Sequence, residues 1–288
     1  MDPGLALLVL LAAVLHATWN AMAKSAIARP VAFALIALVC GLCGALAAPF
    51  LALPPAGSWP WLGASVVLHN LYFAALLAAY GVGDLSLVYP IARGLAPIGV
   101  AAGAVLLAGE WPGTAGIIGI VLASLGILAL SLPIHAGRQP AGRIGALAWA
   151  GTIAVLIVLY TVVDGIGTRA ARAEGADGLT YVSWMFLLEA PPFLAGVALW
   201  YARKGWPRLE RRAVLIGSGA GVIAYAGYAI VLFALGLAPM AYVSALRESS
   251  VLFAALLGTL VLGEPFGGRR VVAAGAVAFG LGLVTLGG

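Results

Sequence analysis

Ile91-Ala92-Arg93-Gly94-Leu95 and Ala245-Leu246-Arg247-Glu248-Ser249 each set one arginine inside a long apolar run, and the two arginines stand 154 positions apart (247 minus 93). Carried along the chain, the same offset lays Gly109-Glu110 on Gly263-Glu264, Gly113 on Gly267 and Gly126 on Gly280. Near the start of each half the offset becomes 144, with His16 on Tyr160 and Asn20 on Asp164. The difference is a change in loop length, which a surface loop absorbs at little entropic cost. The chain therefore reads as two copies of one unit.

Of the 288 residues, 64% are hydrophobic and 9% charged. Soluble domains carry roughly 25% charged residues, which excludes an ordinary soluble globule. The mean hydropathy of +1.11 makes the whole length lipid-compatible, not one anchor on a soluble body. A spanning helix needs about 20 mostly apolar residues. Apolar runs bounded by Gly, Pro or charge fall at 4–23, 30–53, 61–80, 85–107, 113–132, 145–167, 179–201, 213–235, 239–262 and 270–286. The expected fold is an all-α polytopic membrane protein of ten transmembrane helices. Five helices per copy is an odd number, so the second copy enters the membrane upside down relative to the first. Residues 1–135 and 143–288 are then two inverted five-helix repeats, an architecture typical of secondary transporters.

Other features are consistent with this. The net charge is +5 and the pI about 9.5. The basic residues sit in short loops, where they read as orientation signals and contacts to anionic headgroups, not as a nucleic-acid surface. Cys40 and Cys43 share one apolar run with no nearby ligand residue and read as small buried hydrophobes. Met1-Asp2-Pro3-Gly4 has no basic n-region, so a cleaved signal peptide is not expected. The expected location is the plasma (inner) membrane of a prokaryote, as a multi-pass protein.

Four groups of residues carry a family resemblance: His16-Ala17-Thr18-Trp19-Asn20 with Lys24, Tyr89-Pro90-Ile91-Ala92-Arg93-Gly94-Leu95-Ala96-Pro97, Ala245-Leu246-Arg247-Glu248-Ser249-Ser250, and the two Gly-Glu pairs. Over essentially its whole length the chain resembles the drug/metabolite transporter superfamily, and within it the two-repeat EamA-type carriers. The resemblance implies a ten-helix fold, a central cavity between the halves and alternating access. The ninth helix of EamA-type carriers often reads Glu-Pro where this chain has Ser250-Val251; its acid, Glu248, stands two positions earlier. That arrangement resembles a subgroup with Arg-Gly and Arg-Glu at equivalent places, some members of which are associated with phosphonate metabolism.

Ionisable groups inside membrane helices are costly and face a partner or a cavity. The candidates are Arg93, Asp164, Glu189, Arg247 and Glu248, with the softer polar residues His16, Asn20, His69, Asn70, Tyr89, Tyr160, Tyr242, Ser249 and Ser250. Four-residue spacing puts His16 with Asn20, Tyr89 with Arg93, and Tyr160 with Asp164 on common helix faces. Counting depth along each run pairs Asn20 with Arg93 in one half of the membrane and Asp164 with Arg247 in the other. An ion pair is expected between Asp164 and Arg247, whereas the first repeat offers Arg93 only the neutral Asn20. Glu189, just before Pro191-Pro192, either caps a broken helix or carries protons. Trp19 and Tyr181 read as interface anchors, and Glu110 and Glu264 as structural residues at turns. No metal-ligand spacing recurs, and no cofactor motif is present.

The expected function is secondary-active transport of a small anionic or zwitterionic metabolite, as an amino-acid or metabolite exporter. Arg93 and Arg247 would hold a carboxylate, phosphonate or phosphate, since guanidinium forks match such groups bidentately. Asp164 and Glu248 would hold an amino group or balance the arginines, and His16, Asn20, His69, Tyr89, Tyr160, Tyr225, Tyr228 and Tyr242 would line the cavity. The partners expected are the substrate, the bilayer, and protons or a counter-substrate. The phosphate-binding pattern Gly-x-x-x-x-Gly-Lys-[Ser/Thr] occurs nowhere, so a gradient supplies the energy. A carrier of organic cations or drugs is the main alternative. An intramembrane enzyme built on Gly217-Ser218-Gly219 and a non-transporting receptor are weaker ones; the enzyme fails for want of a motivated histidine partner.

Orientation follows from the loops. The side holding both termini has Arg169 and Arg172, whereas the other side has Lys24, Arg29, Arg138, Arg143, Arg203, Lys204, Arg208, Arg211, Arg212, Arg269 and Arg270. The positive-inside rule places the second side in the cytoplasm and both termini outside. A single cysteine placed between residues 203 and 212 is expected to resist an impermeant thiol reagent in intact cells. Ready labelling would reverse the orientation.

Overall fold

The structure, a computed structural model, describes residues 1–24, 29–82, 85–131, 143–262 and 268–286. Among these there are eleven α-helices and no strand: α1 (Pro3–Lys24), α2 (Arg29–Ala47), α3 (Trp59–Val82), α4 (Leu85–Ala108), α5 (Thr114–Ser131), α6 (Arg143–Ala173), α7 (Gly178–Lys204), α8 (Arg211–Leu235), α9 (Met240–Glu248), α10 (Ser250–Leu262) and α11 (Gly268–Leu286). Gly263-Glu264, Gly267 and the polar stretch around Arg138 lie outside the described residues.

Local chemistry sets the helix ends. Asp2 accepts the Leu5 N–H at 2.9 Å ahead of Pro3, and Asp177 accepts the Thr180 N–H at 2.8 Å ahead of α7. Both are N-cap bonds that occupy a donor the first turn cannot pair internally. Gly109 follows α4 at φ +65° and Gly205 follows α7 at φ +86°, left-handed positions that side chains other than glycine adopt at a cost.

Eight of the described helices are long and apolar enough to cross a membrane. They are α1, α2 with its short 3-10 extension, α3, α4, α6, α7, α8 and α11. α5 is shorter, with an apolar stretch of Thr114–Leu130. The run expected as one helix over 239–262 is divided at Ser249 into α9 and α10. There the backbone closes a tight turn: the Ser249 N–H reaches the Leu246 and Arg247 carbonyls, and its hydroxyl donates to the Leu246 carbonyl at 2.6 Å. A serine hydroxyl returned to its own backbone competes with the regular helical ladder.

α7 runs unbroken through Pro191-Pro192 to Lys204, one helix over the run expected at 179–201, so of the two readings of Glu189 the cap at a helix break falls away. Two interface assignments also fail. Trp19 is buried with its ring edge-on to His16, 5.1 Å between centroids, and Tyr181 is fully buried against Gly167 of α6.

The chain forms two compact units. The first contains residues 1–13, 74–162 and 238–288; the second contains 14–73 and 163–237. Each draws on both halves of the sequence. In the first unit the amino group of Met1 donates to the Thr285 carbonyl at 3.3 Å, which brings the two chain ends together.

Within each unit, glycines set the helix crossings. In the first, a Cβ on Gly119 of α5 would lie 2.5 Å from the Gly280 carbonyl of α11, and a Cβ on Gly280 would lie 2.6 Å from the Gly119 carbonyl. Seven residues along, a Cβ on Gly126 would lie 2.9 Å from the Ala273 carbonyl. Gly99 and Gly103 of α4 meet Val158 and Val162 of α6. In the second unit Gly217 and Gly221 of α8 receive Leu35 and Val39 of α2, while Gly41 and Gly44 press on Ala190 and Ser183 of α7. Lipid tails are as apolar as leucine, so helices in a bilayer associate by close contact through small residues. Gly119→Ala is expected to destabilise the protein by about 1–3 kcal/mol, the usual range for overpacking a close contact. Gly275→Ala, with open space around the new methyl, is the control. Denaturant titration of the purified protein compares the two.

Candidate functional site

The polar centre of the first unit is a three-residue ionic cluster. Arg93 rises from the middle of α4, four residues before Pro97, and is fully buried. Its Nη1 donates to both carboxylate oxygens of Glu248, at 3.0 and 2.9 Å. Arg247, next to Glu248 at the end of α9, donates to Glu248 Oε1 from Nη2 at 3.1 Å and from Nε at 3.3 Å. Its Nη2 also lies 3.3 Å from the Thr161 hydroxyl, and its guanidinium sits 5.6 Å from the centre of the Tyr160 ring. One carboxylate thus serves two guanidinium groups, and all three side chains are buried.

This corrects the expectation that Arg93 meets only the neutral Asn20. Its acid comes from the other half of the sequence, because α4 and α9 pack together. At the position equivalent to Glu248 the first half has Gly94, and Leu128 fills the space where a side chain would begin. Tyr242, also expected beside the arginines, packs its ring on Gly116 of α5. Tyr89 lies on α4, but its side chain is outside the described residues.

The second unit has its own polar cluster. Asp164 of α6 is fully buried and accepts a hydrogen bond from the Tyr228 hydroxyl of α8. His69 of α3 places Nε2 3.8 Å from the same carboxylate oxygen. Its Nδ1 lies 3.0 Å from the Ser65 carbonyl and 3.2 Å from the Ser65 hydroxyl. The imidazole stands edge-on to the Tyr228 ring, 5.5 Å between centroids. His16 and Asn20 are half-buried on α1 in this unit and satisfy each other along one helix face. The Asn20 amide donates to the His16 carbonyl at 2.8 Å and lies 3.0 Å from its Nε2. Asp164 and Arg247 belong to different units.

Thr161 and Ser65 carried no signal in the sequence, since a lone hydroxyl residue in an apolar run is ordinary. Glu110 is structural: its carboxylate accepts the N–H of Met240, the first residue of α9, at 2.8 Å. Cys40 donates its thiol to the Gly221 carbonyl at 3.3 Å, and both cysteines are free.

Among known proteins, residues 144–286 match the EamA-like transporter family. A crystal structure of another protein matches the fold with a TM-score of 0.75 at 18% identity, covering 99% of this chain and 98% of that one. No curated protein matches the sequence.

Taking the carboxylate out of the first cluster leaves two buried guanidinium groups facing each other. Glu248→Gln is expected to cost about 3–5 kcal/mol, as when one partner of a buried pair is removed. Glu210→Gln on the exposed surface should fall within about 0.5 kcal/mol of wild type. Unfolding titrations in detergent read both.

Proposed function

From the match of residues 144–286 to the EamA-like transporter family, part of the drug/metabolite transporter superfamily, we propose that the chain is a member of that family and a secondary-active carrier of a small anionic or zwitterionic metabolite. A multi-pass membrane protein of this family handles a small-molecule substrate in a lipid environment. The observation that carries the finer reading is the Arg93–Glu248–Arg247 cluster. Two guanidinium groups converge there on one carboxylate, so the planar N–H donors of two arginines meet at one place inside the unit. A carboxylate, phosphonate or phosphate accepts from such donors and matches the planar guanidinium geometry. Glu248 holds the arginines together between substrates, and the incoming anion competes with it for the same donors. In this reading the protein works by alternating access in the plasma membrane and exports amino acids or aminophosphonates.

The inverted repeat is part of this proposal. Its support is the crossing of α5 and α11: under the 154-residue offset, Gly119 against Gly280 exchanges with Ala273 against Gly126, as a two-fold relation between residues 1–135 and 143–288 requires. The buried acids Asp164 and Glu189 favour a second reading, a carrier of organic cations. Counterflow of radiolabelled amino acids, 2-aminoethylphosphonate and hydrophobic cations in proteoliposomes separates the two. Arg93→Lys keeps the charge and the partner for Glu248 but loses the fork. It is expected to abolish flux of the anionic and zwitterionic probes with expression and melting unchanged. Flux at the wild-type level in Arg93→Lys, or preference for the cations, defeats the anion reading.

A further inference from the structure

We propose that Glu189 is a proton-binding site, the carboxyl that couples substrate movement to a proton gradient. The coupling rests on the transport reading above, whereas the proton site stands on the interior of the second unit.

Glu189 lies mid-way along α7 and is 2% exposed. Its Oε2 has no hydrogen-bond partner among the described residues, and no ion pair to it occurs among them. Asn70 of α3 sends its amide to the Glu189 backbone carbonyl at 3.3 Å and not to the carboxyl. Cys40 of α2, one residue before the close approach of Gly41 to Ala190, gives its thiol proton to Gly221. The other titratable groups on the elements around this part of α7 include Cys43 of α2, His69 and Tyr72 of α3, Asp164 of α6, and Tyr225 and Tyr228 of α8. No lysine or arginine is among them. Arg29, Arg211 and Arg212 stand in the first turns of α2 and α8; Arg169 and Arg172 stand in the last turns of α6, with Arg169 bound to the Leu235 carbonyl.

An ionised carboxylate in that setting lacks both a cation and a donor, so it is neutralised by taking up a proton. Asp164, in the same unit, has the Tyr228 hydroxyl as donor and His69 beside it. Of two acids in one dry interior, the one without donors holds the proton. A calcium or magnesium ion fits poorly, because these ions require about six oxygen ligands and Glu189 supplies one carboxyl. Among the described residues no group of three acidic, histidine or cysteine side chains gathers that could hold a metal ion. The step is simple in its balance: the carboxylate takes a proton from water on one side of the membrane and returns it on the other.

Infrared spectroscopy of the protein in lipid vesicles tests the site with the proton as the only probe. The wild type is expected to show a protonated-carboxyl carbonyl stretch that fades as the pH is raised. Glu189→Gln should lack that band, and Glu189→Asp should shift its frequency, with the amide bands unchanged. An identical titrating band in Glu189→Gln, or none in the wild type, overturns the site. In proteoliposomes given a pH step, Glu189→Gln should retain counterflow of labelled amino acids and 2-aminoethylphosphonate. Its gradient-driven accumulation should drop to the level seen with a protonophore. Accumulation at the wild-type level in that variant overturns the coupling. A wild type that moves no probe defeats the transport reading, and the infrared band still decides the proton site.

Discussion

The buried arginines of the first unit meet on one carboxylate. Glu248 receives Arg93 from α4 and Arg247 from its own helix, and without it two like charges would face each other in a dry interior. Burying ions is expensive, and a buried pair is held only where geometry and further donors return most of that cost. Here Arg247 finds the Thr161 hydroxyl and the Tyr160 ring face, both on α6. Three helices are therefore tied through one ionic centre.

The backbone around that centre is shaped for it. The turn at Ser249 follows immediately on Arg247 and Glu248, so the ionic pair sits at the end of a short helix and not inside a continuous one. Pro90 and Pro97 flank Arg93 on α4 and remove two donors from its ladder. The glycine crossings then bring α4 and α5 close to α6 and α11 in the same unit. Helices that touch backbone to backbone leave little freedom to the long side chains between them.

In the second unit the buried acids are Asp164 and Glu189. Asp164 is solvated by a tyrosine hydroxyl and faces a histidine; Glu189 is left dry. An arginine–glutamate cluster lies in one compact unit and a pair of differently solvated acids in the other.

Hydropathy and punctuation alone placed the helices, because a bilayer demands long apolar runs and glycine, proline and charge interrupt them wherever they end. They also picked out Arg93, Arg247, Glu248 and Asp164, since a charge within such a run stands out against its surroundings. Periodicity could not show that the ninth run turns at Ser249, because that depends on how neighbouring helices and side chains take up the freed backbone groups. Nor could it show which acid meets Arg93. The sequence offered a pairing by depth along each repeat, which pointed to Asn20, but depth says nothing of which helices touch. That was decided by the contact of α4 with α9, where a residue 155 positions away supplies the carboxylate. Residue type and spacing determined which charges this protein carries into the membrane; only the crossing of its helices decided how those charges are shared, because an ion pair forms across space and not along the chain.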